Sequence, residues 1–481
     1  MHIKYFILSL SLLLPSLSIR AEVVKLEDFV KAYLEKSIKV EEEKLNVEKS
    51  KASTTRSEAI DDFYFKLGGG YTYSKPGPNF VYQTDASILG LNASLEKVLS
   101  ATGTRFSASH EMGYVASELN ANGTMAGIAP DTYNPNLSIA VTQPLLKNFL
   151  GLQDRLPFKL SKINETIQKI TYNEALEQAM VDATGLYMEW VYLSKQKEIL
   201  GEIIRNNENL FSQTQEKVNA GIAQVSDLEV ARINVIVYQN TLLEIDNGYQ
   251  NTLRKMQKYL TISSDKTPQL SLLEEEKSVS PVTMVKSRIL ETMRLLESQL
   301  KINLSAKENA LLPSFDAIAA YTVSSSETGL SSAYSGMKTS EFYLGFQFNM
   351  PLGNYDARGA AKEVKAEYEK IVLKRLDTEK DLSTNEENLR NTVASYARLV
   401  KEQQRYITAL NRKLQDENRQ YRQGILSLRE VTRTSNDLAN AKLQLTKYMV
   451  DLQNFYYRYQ ELTDQMLGLY KALIPQSPQE K

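Results

Sequence analysis

Residues able to do covalent or metal chemistry are scarce in this chain of 481 residues. It has no cysteine and two histidines, His2 and His110, which removes thiolate catalysis and nearly all imidazole ligation. No nucleophile elbow, metal-ligand spacing, phosphate-binding loop or pair of catalytic carboxylates occurs. The expectation is therefore no catalytic residue, no metal and no cofactor: a protein that is not an enzyme. The 57 basic and 58 acidic residues give a net charge of −1 without a patch of one sign, which argues against nucleic acid as a partner. Two clusters stand out instead. Asn219-Ala220-Gly221-Ile222-Ala223-Gln224-Val225-Ser226-Asp227 and Tyr421-Arg422-Gln423-Gly424-Ile425-Leu426-Ser427 each place a glycine inside a long tract without proline.

Helices must carry both clusters. From Ala360 to Gln423 there is neither proline nor glycine, and a helix of that length would run about 95 Å. Gly424 marks a reversal, after which Leu438, Ala441, Leu445, Tyr448, Leu452, Phe455, Tyr459, Leu462, Met466 and Leu469 return at alternating spacings of three and four, a coiled-coil seam. Lys374, Arg375, Asp377, Glu379, Lys380 and Asp381 exclude a transmembrane helix. Pro157 and Pro268 enclose 110 residues of the same kind, with Ile163, Ile167, Ile170, Met180, Ala183, Tyr187 and Trp190 on one stripe and Gly221 near the middle. Ser226 or Asp227 is available to cap the returning helix. The periodicity thus predicts helical hairpins over 145–260 and 352–473, followed by a tail, 474–481.

Other segments have a different period. Residues 1–21 read as a secretory signal peptide: Lys4, an apolar run from Tyr5 to Leu14, Pro15, and small residues suited to cleavage after Ala21. That run is too short to span a hydrocarbon core of ~30 Å. Residues 22–62 are helical in pattern. Within 63–144, Phe63, Phe65, Leu67, Gly69, Tyr71 and Tyr73 alternate with Tyr64, Lys66, Gly68, Gly70 and Thr72, as Leu137, Ile139 and Val141 do with Ser138, Ala140 and Thr142. These are strands with one apolar face. Ile88 to Val98 and Thr104 to Met112 are weaker strand candidates, and His110 falls in a polar strand or loop. A polar linker covers 261–282, a helix 283–312, and a second alternating pair 313–351: Phe315 to Val323, then Phe342 to Met350.

The order recurs. Pro144-Leu145 and Pro351-Leu352 lie 351 − 144 = 207 residues apart, Gly221 and Gly424 424 − 221 = 203, so the chain holds two copies of helix, strand, strand, helix, helix. The span from the first aromatic to Pro-Leu is 81 residues in copy one and 36 in copy two; the excess forms either an added hairpin or a long outer loop. Four clear strands of bilayer-crossing length cannot close a barrel alone, and open edges are not tolerated in lipid, so identical chains must share one. A soluble sheet shows the same alternation, but the Phe and Tyr clusters favour membrane girdles. The fold class expected is an α+β membrane protein.

In these features the chain resembles the TolC-type outer-membrane efflux proteins over nearly all of its mature length. The resemblance rests on Val141-Thr142-Gln143-Pro144-Leu145, on Gly221 to Asp227 with Ala231, and on Tyr421 to Leu428 with Glu430, in that order and twice over. It implies a homotrimer in the outer membrane of a Gram-negative bacterium, with a 12-stranded transmembrane β-barrel continued by a long periplasmic α-barrel. It further implies a passive exit duct for efflux or type I secretion, whose partners are outer-membrane lipid, a periplasmic adaptor (membrane fusion) protein and an inner-membrane pump of RND, ABC or MFS type. A coiled-coil scaffold of the periplasm without a pore is the alternative. By resemblance, adaptor contacts map to Gly221, Ile222 and Ala223 and to Gly424, Ile425, Leu426 and Ser427. A periplasmic gate maps to a Tyr421–Asp227 link, to Ser226 facing a position held by Leu426 in place of arginine, and to Glu430 and Arg433 where the family type has two acids.

Overall fold

The computed structural model describes residues 23–75, 83–262, 266–270 and 277–470. The expected signal peptide and tail lie outside these residues, as do Ser263, Ser264, Asp265 and Glu274 to Glu276 of the linker. In chain order the elements are β1 (Val23–Val24), α1 (Leu26–Lys36), α2 (Ile38–Glu58), β2 (Phe63–Ser74), β3 (Gln83–Leu99), β4 (Thr104–Leu119), α3 (Ala121–Met125), β5 (Asp131–Pro144), α4 (Leu156–Asn219), α5 (Val225–Met256), β6 (Thr267–Pro268), α6 (Arg288–Asn309), β7 (Ser314–Ser324), α7 (Leu330–Ser335), β8 (Thr339–Asn349), α8 (Tyr355–Arg422), α9 (Leu428–Leu462) and α10 (Met466–Leu469). They divide into two units, one within Met1–Val40, Glu174–Met284 and Leu382–Lys481, the other within Glu41–Asn173 and Val285–Asp381. α4 and α8, of 64 and 68 residues, are each about 100 Å long.

The first unit is helical, and the stripe expected on α4 is its core: Met180, Ala183, Tyr187 and Trp190 are fully buried. Tyr187 packs its ring against Phe29 of α1 and donates its hydroxyl to the Val24 carbonyl at 2.7 Å. The Gln269 amide in turn donates to that hydroxyl at 2.9 Å, so one phenol closes the parallel pair of β1 and β6. The segment 261–282 is thus not wholly a linker. Two helix ends also depart from the sequence pattern. The N-terminal helix breaks at Ser37, which is extended. The last helix stops at Leu462 rather than running to Leu473, because Asp464 takes a left-handed conformation (φ 58°) and the amides of Asp464 and Gln465 turn back onto the carbonyls of Glu461 and Gln460. A short polar side chain tolerates that backbone better than most. Met466 and Leu469 therefore sit on α10.

The second unit is built on one antiparallel sheet of six strands, in the order β2-β3-β4-β5-β7-β8. Four clear strands and two weaker candidates were expected; all six pair in one sheet, so the excess of the first copy is an added hairpin, β3 and β4, and not a long outer loop. Their alternation is faint in the sequence because Ser87, Ala93, Ala108, His110 and Ala116 occupy positions where β2 carries aromatic or branched residues. His110 itself lies within β4. One cross-strand row runs through Phe63, Lys97, Phe106, Val141, Ala319 and Leu344. Phe63 is the first residue of β2 and Leu344 the sixth of β8, so the strands are staggered by five residues across the sheet, as tilted barrel strands are. Below the sheet Asn148, at φ 65°, donates its amide to the Asn309 side-chain oxygen at 2.9 Å and accepts the Gln153 amide on its own side-chain oxygen at 2.8 Å, and α4 begins at Leu156 and not directly after Pro144. Thr54 of α2 bonds Glu165 of α4 at 3.3 Å, and Arg375 of α8 pairs with Glu297 of α6 at 3.0 Å.

Candidate functional site, the sheet faces and the hairpin tips

Directly paired residues of an antiparallel sheet lie on the same face, so the register sorts every strand residue. One face collects Phe63, Phe65, Leu67, Leu89, Leu91, Leu95, Phe106, Met112, Leu137, Ile139, Tyr321, Phe342, Leu344 and Phe346. Leu67 and Leu344 are 74% and 73% exposed, far beyond what a packed apolar residue shows. Charge on this face stands at its ends, Lys97 at one and Asp85, Glu118 and Asp131 at the other. His110 is the exception in the middle, and both ring nitrogens are engaged, with the Asn136 carbonyl at 3.2 Å and the Tyr334 hydroxyl of α7 at 2.9 Å. The opposite face is richer in small and polar residues, Gly68, Gly70, Gly90, Asn92, Ser94, Ser107, Ser109, Gly113, Ser138, Thr322 and Gln347, with Tyr64, Ile88, Val115, Ile318 and Tyr343 among them and a Lys66–Glu96 ion pair at 2.7 Å. An apolar exterior against a small, polar interior is the division of residues in a membrane barrel.

In the helical unit, both hairpins reverse by the same device. After α4 the amides of Gly221 and Ile222 bond the carbonyls of Val218 and Lys217, and after α8 those of Gly424 and Ile425 bond Tyr421 and Gln420. This double bond requires a left-handed residue, and Gly221 (φ 71°) and Gly424 (φ 76°) supply it. A Cβ at either glycine would meet nothing within 4 Å, so backbone conformation alone selects glycine there. The reversal leaves Ile222 and Ile425 74% and 70% exposed. Ala223 and Leu426 are half-buried, Ser427 exposed. Leu426 packs against the cluster of Leu210, Ala231, Tyr421, Leu428 and Val431, which joins α4, α5, α8 and α9.

The return helices start differently. α9 is capped at Ser427, whose amide and hydroxyl both donate to the Glu430 carboxylate, at 3.4 and 3.0 Å. α5 begins at Val225 after Gln224, which provides no side-chain cap. Ser226 and Asp227 thus lie in its first turn, not at its cap as expected; Ser226 bonds the Gln224 side chain at 3.2 Å. Arg433 is exposed.

The expected Tyr421–Asp227 bond is not made. Tyr421 is buried, its hydroxyl 3.2 Å from the Thr214 hydroxyl. Thr214 spends its own hydrogen on the Leu210 carbonyl at 2.8 Å, so the phenol is the donor. Lys217 lies over the Tyr421 ring, 3.5 Å from its centroid, and donates to the Tyr421 carbonyl at 2.8 Å. Burial pushes the Lys217 ammonium below the usual lysine range. The carbonyl end of α8 and an aromatic face both attract that cation. Sequence reasoning passed over Thr214 and Lys217, although Leu210, Thr214, Lys217 and Gly221 fall on one helical stripe at spacings of four, three and four. Further along the same four helices, Tyr238 donates to Asn436 at 2.8 Å and Lys442 to Glu202 at 2.7 Å, which holds the Glu202 carboxyl below the usual range.

No family model matches this chain, and no curated protein sequence matches it. Solved structures do match in fold. CusC, described for its transmembrane channel formation, is 14% identical with a TM-score of 0.65 over 92% of each chain. The outer membrane protein VceC of Vibrio cholerae is 12% identical, TM-score 0.64, over 92% of this chain and 96% of its own. The outer membrane channel CmeC of Campylobacter jejuni is 12% identical, TM-score 0.63, over 94% of this chain and 90% of its own. The property shared with these structures is the fold.

Proposed function

We propose that the chain is one subunit of a trimeric exit duct in the outer membrane of a Gram-negative bacterium, passively conducting cargo delivered by a periplasmic adaptor and an inner-membrane pump in efflux or type I secretion. The observation that carries this reading is the sheet: one face apolar and exposed, the other small and polar, and both edge strands, β2 and β8, without a partner among the described residues. In lipid such edges must be paired, and pairing β8 of one copy with β2 of the next closes a ring. Ile222 and Ile425 at the hairpin tips form the adaptor contact. The cluster around Tyr421, with Asp227, Ser226, Glu430 and Arg433 nearby in sequence, forms the gate. Purified oligomers reconstituted in a planar bilayer should give discrete conductance steps. Folded, membrane-bound oligomers that stay electrically silent, even after removal of the Tyr421 ring, would leave the scaffold reading in its place.

A further inference from the structure

The hairpin of β3 and β4 is not accounted for by a duct with four strands per subunit. Three observations describe it. β3 and β4 are 17 and 16 residues long, where a tilted strand of roughly ten crosses a bilayer. Their faces continue those of the neighbouring strands: Leu91 and Met112 pair across the apolar face, Ser94 and Ser109 across the polar one. The row Tyr71, Leu89, Tyr114, Tyr133 carries an aromatic belt across the inserted strands, with the Tyr114 and Tyr133 rings 4.7 Å apart.

The position of the turn between them is decisive. In a loop standing above a barrel, the turn would lie far from the strand that opens the sheet. Here the Ser100 amide and hydroxyl donate to Asp61, two residues before β2, at 3.0 and 2.7 Å. A Cβ at Gly103 of the same turn would lie 2.8 Å from the Asn148 carbonyl, just after β5. The turn is therefore fastened at the end of the sheet where β2 starts and β5 ends, and the hairpin runs the full height of both.

We propose, on the footing of the trimeric duct above, that β3 and β4 are a third transmembrane hairpin, so that three chains close a barrel of eighteen strands with a lumen suited to bulky hydrated cargo. With strands about 4.8 Å apart and tilted about 40°, twelve strands give a barrel about 24 Å across between backbones and eighteen about 36 Å. Subtracting about 5 Å of side chain on each wall leaves about 14 Å and about 26 Å. The inserted strands do not refill the middle of this space, since Gly90, Asn92, Ser94, Ser107, Ser109 and Gly113 line most of it, with Glu111 among them and Ile88, Glu96, Val98, Arg105 and Val115 toward the strand ends. An opening of that width admits a hydrated polymer or a small folded domain.

The chain has no cysteine, so single substitutions can be read without background. Leu91→Cys and Ser94→Cys in β3, Ser109→Cys and Met112→Cys in β4, and Leu67→Cys and Thr72→Cys in β2 would be treated in proteoliposomes with a membrane-impermeant maleimide. Positions 72, 94 and 109 should react about tenfold or more faster than 67, 91 and 112, because a thiol in hydrocarbon stays protonated. Alternation in β2 with both faces of β3 and β4 reacting alike, or neither reacting, would overturn the third hairpin and leave the duct. No alternation in any strand would overturn both. The width is read separately by adding polyethylene glycol about 20 Å in hydrodynamic diameter to the outer side of the bilayer, a size between the two lumens estimated above. A drop in conductance fits eighteen strands, and exclusion of that polymer overturns them.

Discussion

Behind Gly424 stands Tyr421, and behind Gly221, at the matching distance, stands Val218; the two tips share their backbone turn and little else. The Tyr421 ring is buried where four helices converge, and its return helix is capped by Ser427 and Glu430. The first tip has neither an aromatic anchor nor a side-chain cap. It reaches across instead, through Thr214 and Lys217, to the anchor of the second. Repetition thus supplied two equivalent turns, and only one copy holds both in place. The first tip is the less firmly held of the two.

The strongest test is to remove the anchor. Tyr421→Ala should cost ~3 to 5 kcal/mol, as large aromatic deletions do, and amide exchange should speed up at both tips, not only the second. Acceleration confined to 414–431 would break the dependence of tip one on tip two. Next in size is docking: Ile222→Asp and Ile425→Asp should each weaken adaptor binding by about a hundredfold, since a carboxylate would be desolvated in an apolar contact, with trimers intact in native mass measurement. Adaptor affinity unchanged in both would remove the tips from the interface. Gly221→Ala and Gly424→Ala should cost about 1 to 2 kcal/mol each for the left-handed backbone; thermal melts that differ between the two would show that the turns are not equivalent. Tyr421→Phe should cost about 1 kcal/mol, because Thr214 keeps its bond to Leu210 and loses one donor, and should raise the open fraction in single-channel records. The smallest change is at the caps: Ser427→Ala should destabilise by about 0.5 to 1 kcal/mol and Gln224→Ser stabilise by a similar amount, which would bring the two tips closer in amide exchange.

Long helices, their reversals and the apolar faces of β2, β5, β7 and β8 were legible because each follows a strong period over many residues. β3 and β4 were faint for a physical reason. A strand in the interior of a sheet can place alanine, serine or even a bonded histidine on its outer face without losing its ladder, since its backbone is paired on both sides. Asp464 was illegible because a left-handed residue that is not glycine leaves no compositional mark. At the tips the glycines declared the turns, but side-chain partners did not follow from spacing: Tyr421 points to Thr214 on another helix, 207 residues away, and only packing reveals that.

The six-stranded meander has one more consequence, which concerns growth. β2 starts and β8 finishes at the same end of the sheet, so α2 and α8 leave it on the same side. A hairpin added between them enters and returns, and neither end notices. A sheet of this topology can therefore grow in increments of two strands while every helix keeps its direction. A single extra strand would send all that follows it to the opposite end of the sheet. The bond from the Ser100 turn to Asp61 ties such an added hairpin to the end of the sheet where β2 starts.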